Sequence, residues 1–523
     1  MTDSVADHTE HRLHGRRRFL AGAATLAGAG LFLPTALAST TPTRAARAAA
    51  GTPQWRPTVH FTPAENWMND PNGLVFHEGE YHLFFQHNPY STEHANLSWG
   101  HAVSTDLVRW DELDVALEPD ELGEIYSGSA VVDHRNTSGF FDGVEPGLVA
   151  FYTSAGETQQ QSIAYSRDRG RTWTKFDGNP VIANPGIEDF RDPKVIWDEP
   201  SGQWVLLLAV DDHIAFYRSP NLRDWDLVSE FGAGRGAHGG VWECPDLFEL
   251  PVAGTEESRW VLIVSINPGG PAGGSATQYF LGDFDGTTFV PHDEPDTVLW
   301  AELGADFYAA QSWSDIPASD GRRLWIGWLS NWDYTKQVPT EPWRGAMTVP
   351  REVGLVDTDE GPRLTQRPVQ ELESARGPVR RWSGTVSDEG SVVEYSGAAL
   401  DVVADFTVDS AAMFGIDVFV GERSRTRVGY DVRAGELFVD RTGAGSADPG
   451  SGYRARHAAP LDTEDGVLRL RLLIDRSTVE VFAADGRVVL TDLVLRDGGD
   501  ILRPFAEDGR VQLNSLEVYP IEA

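Results

Sequence analysis

From His60 to about Arg351 the chain is a succession of short alternating apolar and polar runs, each cut by Gly, Pro, Asn or Asp. "GEYHLFFQHNP", "SGSAVVDH", "GLVAFYTS", "QSIAYSRD", "QWVLLLAV" and "RWVLIVSI" are typical. None keeps helical period for three turns, so the region is predicted to be nearly all β. A loose repeat runs through it: "STDLVRW" ends at Trp110, "SRDRGRTW" at Trp173, "SPNLRDW" at Trp225 and "GDFDGTTF" at Phe289, at spacings of 63, 52 and 64 residues. Each unit reads as a strand, a polar turn with Asp or Asn, and an aromatic that opens the next strand. Units of that length suit four-stranded sheets, and about 290 residues at roughly 58 each predict a five-bladed β-propeller. A single large β-sandwich is the competing reading. The stretch 356–381 is polar, holds three Pro and reads as a connector with one helical turn in "PVQELESA". Alternation then resumes over 382–523, with a hairpin turning at Asp485–Gly486, and predicts a separate β-sandwich.

Composition narrows the partners. The 523 residues carry 79 acidic and 43 basic side chains, a formal charge of −36. Such a surface repels phosphate backbones and anionic membranes, which argues against nucleic-acid and lipid partners and leaves a neutral ligand open. Seventeen Trp is a high share, and aromatic faces suit the C–H faces of sugars. At the N-terminus, "HGRRRFLAGAATLAGAGLFLPTALAS" places Arg16, Arg17 and Arg18 before a mild apolar run ending in A-x-A at Ala36–Ala38. Residues 1–50 are therefore read as a twin-arginine-type signal peptide and leader of a secreted protein, with the mature start between Ser39 and Gly51. No later run reaches the length of a membrane span, so no membrane anchor is expected in the mature form. Cys244 is the only cysteine, so neither an internal disulfide nor a cysteine-built metal site is available.

Three acidic residues stand in compact polar-aromatic settings: Asp70 in "WMNDPNG", Asp192 in "EDFRDPKV" and Glu243 in "GGVWECPDL", 122 and 51 residues apart. Taken alone, "NDPN" reads as a tight turn. In a propeller, however, residues from distant blades meet at the axis. There is no G-x-S-x-G elbow, no phosphate-binding loop in a βαβ context and no H-E-x-x-H pair. What remains is carboxylate chemistry on a neutral, polyhydroxylated substrate, with neither a metal nor a cofactor expected. Cys244 is read as a small buried apolar side chain.

The chain resembles glycoside hydrolase family 32, the invertases, inulinases and levanases. The resemblance rests on "WMNDPNG" (67–73), "FFQHNP" (84–89), "WGHA" (99–102), "YSGSA" (126–130), "FRDPK" (190–194), "WECPDL" (242–247), "DFYAAQSW" (306–313) and "PWRGAMTVPRE" (342–352), all in family order. It implies a five-bladed propeller catalytic domain (51–355), a linker (356–381) and a β-sandwich (382–523). It also implies hydrolysis of β-fructofuranosyl linkages with retention. On that match Asp70 is the nucleophile, Glu243 the general acid/base and Asp192 a transition-state stabiliser that binds sugar hydroxyls. Asn69, Gln86, Trp99, Tyr126, Ser127 and Arg191 are expected to contact the sugar, with Trp67 nearby and Asp306 and Trp332 as further candidates. The residue types suit the chemistry: an oxocarbenium-like state needs an ionised carboxylate on one side and a proton-bearing carboxyl at the leaving oxygen. "INPGGPAGGSATQYFLGDFDG" (266–286) is more similar to levanases and exo-inulinases than to intracellular sucrose hydrolases. The expected activity is exo-hydrolysis of levan or inulin, and of sucrose. A levan fructotransferase or levanbiohydrolase releasing difructose products is the enzymatic alternative. A fructan-binding protein without catalysis is the other, and it predicts loss of at least one carboxylate, whereas all three are present.

Overall fold

The run Gln203–Val210 shows why this chain builds stacked sheets. In the computed structural model, which describes residues 54–143, 146–389, 393–463 and 465–522, every residue from Trp204 to Val210 is buried. Trp204, Leu206, Leu208 and Val210 pack with Phe151, Ile163 and Val195 on one side. Val205, Leu207 and Ala209 pack with Trp242, Leu262 and Phe280 on the other. A strand apolar on both faces must lie in a sheet covered by sheets on both sides, as in a propeller. Leu207→Ala is accordingly expected to cost about 2–5 kcal/mol of stability, read as a lower urea midpoint.

Five strands lead the sheets of this region: β1 (Asn66–His77), β2 (Glu124–Val132), β3 (Phe190–Asp198), β4 (Val241–Ala253) and β5 (Tyr308–Ser312). Each pairs antiparallel with the next strand in its sheet, and each touches the leading strand of its neighbour, in the order β1, β2, β3, β4, β5 and back to β1. A two-residue strand, Trp343–Arg344, runs parallel to Asn66–Trp67 beside β1.

The sequence repeat has a structural cause. In the first four sheets the quoted motif is the turn between third and fourth strands, and one Asx side chain holds each turn by accepting backbone N–H bonds. Asp106 accepts from Val108 and Arg109, Asp168 from Thr172, Asn221 from Arg223 and Asp224, and Asp285 from Thr287 and Thr288. This is the Asx-turn use of those residues. The fifth sheet turns instead at Thr358–Gly361, which is why the motif recurs only four times.

Residues 380–520 form two six-stranded sheets around one core. Val402, Leu470, Leu472 and Val481 come from one sheet and Phe414, Ile416, Val428 and Leu437 from the other, a β-sandwich. The stretch read as a connector is more ordered than its Pro content suggests. Arg363–Pro368 is a strand pairing with Arg351–Val356, because Leu364, Gln366 and Pro368 alternate into the core. The helical turn in "PVQELESA" is a 3₁₀ helix, Gln370–Ala375. The leader at 1–50 lies outside the described residues. Among those described, no helix is long and apolar enough to cross a membrane.

Two buried ionic clusters join the propeller region to the sandwich. In one, Arg351 donates to Glu302 (2.5 Å), Thr491 (2.9 Å) and Glu480, while His60 bridges Glu480 (2.8 Å) and Asp475 (3.0 Å). In the other, Arg441 lies between Asp306 (2.5 Å) and Asp492 (3.2 Å), and His457 meets Asp492 at 2.6 Å.

Candidate active site

Asp70, Asp192 and Glu243 lie near the starts of β1, β3 and β4, and each of these strands breaks register there. Shifts occur between Met68 and Pro71, between Arg191 and Lys194, and between Glu243 and Asp246. The same break occurs in β2 between Ile125 and Gly128, and in β5 between Tyr308 and Gln311. Bulges re-aim side chains that a regular pleat would turn into the sheet packing. "NDPN" is thus a bulged strand and not a turn, correcting the reading of that tetrapeptide alone. Asp192, Cys244 and Ala309 take φ of +64°, +48° and +51°, unusual for residues with a Cβ. Gly128 allows the β2 bulge, since a Cβ there would meet the Phe151 carbonyl oxygen at 1.9 Å.

Both oxygens of Asp70 are held. Asn69 Nδ2 donates to Oδ1 (3.0 Å) and Ser127 Oγ to Oδ2 (2.7 Å), with Cys244 Sγ at 3.6 Å. Asn69 is oriented in turn by the Trp67 indole N–H (2.7 Å). Burial pushes the Asp70 pKa up and the Glu243 charge adds to it, while the Asn69 and Ser127 bonds oppose the rise. Asp192 is buried and accepts the Cys244 N–H at 3.0 Å and its thiol at 3.5 Å. Burial raises its pKa, Arg191 opposes, and the charges of Glu243 and Asp70 raise it further. Glu243 accepts from Arg191 Nη2 at 2.8 Å on Oε1 and from the Tyr308 hydroxyl on Oε2. Arg191 is steadied by Asp189 and by Gln159 (3.4 Å). Burial and the neighbouring carboxylates raise Asp70 and Asp192 together, so these two acids hold a proton more readily than free carboxyls do.

The other expected contacts divide into two groups. Ser127 and Arg191 touch the carboxylates, and Tyr126 is half-buried beside them. Trp67, Gln86 and Trp99 are fully covered, and their N–H groups are committed to Asn69, the Ile125 carbonyl and the Tyr126 carbonyl. They support the pocket wall from behind, where direct sugar contact was expected. Trp332 is half-buried and stacks on Trp67 with centroids 6.1 Å apart. Asp306 is a correction: its carboxylate is buried and taken up by Arg441, Tyr334 (2.5 Å) and the Leu493 N–H (2.8 Å), so it has no surface for a sugar.

Sequence reasoning missed two residues. Tyr308 lay inside the quoted "DFYAAQSW" without being singled out. Cys244, read as plain filling, places its thiol between two carboxylates. Burial together with those charges pushes its pKa well up, so it stays a neutral thiol. Its adjacency to Glu243 was the only available signal, because the contacts to Asp70 and Asp192 cross between strands.

An all-β protein that brings three carboxylates from separate sheets together, each fixed by neutral or cationic donors, has the site of an acid–base hydrolase for an uncharged substrate. Comparison with known proteins agrees. The "Glycosyl hydrolases family 32 N-terminal domain" matches residues 60–368 and the "Glycosyl hydrolases family 32 C terminal" matches 371–520, and the chain belongs to glycoside hydrolase family 32. It is 52% identical to a levanase of Bacillus subtilis over 90% of this chain and 70% of that protein. It is 43% identical to an extracellular exo-inulinase of Aspergillus ficuum over 84% of this chain and 89% of that one. The crystal structure of exo-inulinase from Aspergillus awamori superposes with a TM-score of 0.85 at 38% identity, covering 90% of this chain and 99% of that one.

Proposed function

We propose that this chain is a secreted, retaining fructan β-fructofuranosidase that releases terminal fructose from levan or inulin and also cleaves sucrose. The catalytic unit is read as a five-bladed propeller carried past the expected end at 355 by the strand Arg363–Pro368, the sandwich as 382–523, and export as twin-arginine dependent. The observation that carries the reading is that Asp70 and Glu243 lie close enough to influence each other's charge, and each has both oxygens fixed by donors. The named activities of the levanase and exo-inulinase relatives support the substrate class.

In the mechanism, Asp70 attacks the anomeric carbon of the terminal fructosyl unit. Its Asn69 and Ser127 bonds aim it and oppose the rise in pKa that burial and Glu243 impose. Glu243 acts as the general acid that protonates the leaving oxygen. Once that proton has gone, Arg191 and Tyr308 stabilise the carboxylate, which then draws a proton from the water that releases fructose. Asp192, held by Cys244, meets sugar hydroxyls as positive charge develops at the ring.

The test is a side-by-side assay of the purified protein on levan, inulin and sucrose, with products resolved at early times. Free fructose from chain ends is expected. A difructose or its anhydride as the first product sinks the exo-hydrolytic reading in favour of transfer or difructose release, and binding without any product sinks the enzyme reading.

A further inference from the structure

The sandwich carries no carboxylate of the trio, yet one of its side chains reaches both segments that lead to them. Arg441 is wholly buried. Its Nη1 donates to Asp306 Oδ2 at 2.5 Å and its Nη2 to the Tyr334 hydroxyl at 2.8 Å, and that hydroxyl donates to Asp306 Oδ1 at 2.5 Å. The guanidinium is itself fixed by the Leu493 carbonyl (2.9 Å), the Tyr453 carbonyl and Asp492, and the Tyr453 ring lies against both Arg441 and Tyr334.

Two residues beyond Asp306 is Tyr308, which donates to Glu243. Two residues before Tyr334 is Trp332, stacked on Trp67, whose indole N–H orients Asn69 and through it Asp70. Asn331 ties the start of the Trp332 loop to the propeller through the Ala305 and Gly273 carbonyls (2.8 and 3.1 Å). The bonds to the Tyr334 hydroxyl hold the middle of that loop, and they come from Asp306 and from the sandwich.

We propose that Arg441 is a positioning residue through which the sandwich sets the pocket: its single guanidinium clamps Asp306 and Tyr334, and so fixes Tyr308 against Glu243 and Trp332 against Trp67. The sandwich thereby becomes part of the working site and not only a brace. This rests on the fructosidase reading above. A planar five-donor head held on several sides transmits position where a flexible ammonium does not.

Arg441→Met strands Asp306 and Asp492 as buried charges and can unfold the chain, so the decisive variant is Tyr334→Phe. It keeps the ring on Tyr453 and deletes only the hydroxyl shared by Arg441 and Asp306. The control is His60→Gln, which weakens the other ionic cluster between the two regions and touches neither the 306–308 nor the 330–338 segment. Wild type, Tyr334→Phe and His60→Gln are assayed on inulin and sucrose well below their melting temperatures. KM is expected to rise about three- to ten-fold in Tyr334→Phe, with kcat falling as Tyr308 loosens against Glu243, and both to stay at the wild-type values in His60→Gln. An unchanged KM in Tyr334→Phe, or an equal rise in both variants, overturns the inference. A wild-type protein that releases no fructose refutes the functional reading instead.

Discussion

Asp70→Asn is expected to lower fructose release from inulin by about four orders of magnitude while leaving the melting temperature close to wild type. The amide keeps the shape that Asn69 and Ser127 hold, but it supplies neither the attacking electron pair nor the charge that meets an oxocarbenium-like carbon. Glu243→Gln separates the second role from the first. On inulin it should cost roughly 10²- to 10⁴-fold, because the leaving oxygen goes unprotonated. On an aryl fructoside, whose leaving group needs little help, bond cleavage should recover substantially in Glu243→Gln and not in Asp70→Asn. If the two variants lose activity equally on both substrates, the division of labour between Asp70 and Glu243 is wrong.

The largest stability effect is expected at Arg351. Its guanidinium is wholly buried and serves Glu302, Glu480, Gln366 and Thr491, so Arg351→Met leaves Glu302 buried without a cation and Glu480 with His60 alone, and should cost about 3–5 kcal/mol. The same cluster sets a pH window. Burial opposes charge on His60, but its hydrogen bonds to Asp475 and Glu480 win and raise its pKa to about 9 from 6.5. A raised pKa means that the contribution is whole below about 6.5 and is lost as pH climbs through about 9. For Glu480, burial pushes upward, but the Arg351 charge and the His60 bond outweigh it and bring the pKa to about 2 from 4.5. That contribution is whole above about 4.5 and is lost as pH falls toward 2. These two contributions are both whole between about pH 4.5 and 6.5, while Glu302 of the same cluster, raised by burial to about 7, costs stability as pH rises through that range. Thermal melts of the wild type should lose roughly 2–4 kcal/mol of its contribution on the alkaline side. In His60→Gln the alkaline decline between pH 6.5 and 9 should be missing, and an identical decline in both proteins would disprove the assignment.

Much of this molecule was legible before any coordinates. Short runs such as Trp204–Val210, cut by Gly, Pro, Asn and Asp, read as strands, and the spaced Asx turns before Trp110, Trp173, Trp225 and Phe289 mark one supersecondary unit used repeatedly. The charge balance and the absence of other catalytic motifs left carboxylates acting on a neutral substrate, and the family motifs pointed to Asp70, Asp192 and Glu243. These are local properties, encoded within a strand or a turn.

What the sequence could not decide is which residues face the pocket and which stand behind it. Gln86 and Trp99 sit in motifs that read as sugar contacts, with Trp67 nearby, yet all three are covered and their N–H groups are taken by protein acceptors. Asp306 is polar, aromatic-flanked and close in sequence to Tyr308, but Arg441, 135 residues away, claims it. Cys244 gains its place between Asp70 and Asp192 only when three sheets meet. Composition and spacing by themselves determined an all-β chain with a carboxylate site. The bulges, the thiol between two acids and the arginine reaching in from the sandwich were decided by tertiary structure, because each depends on backbone positions that only neighbouring sheets can hold.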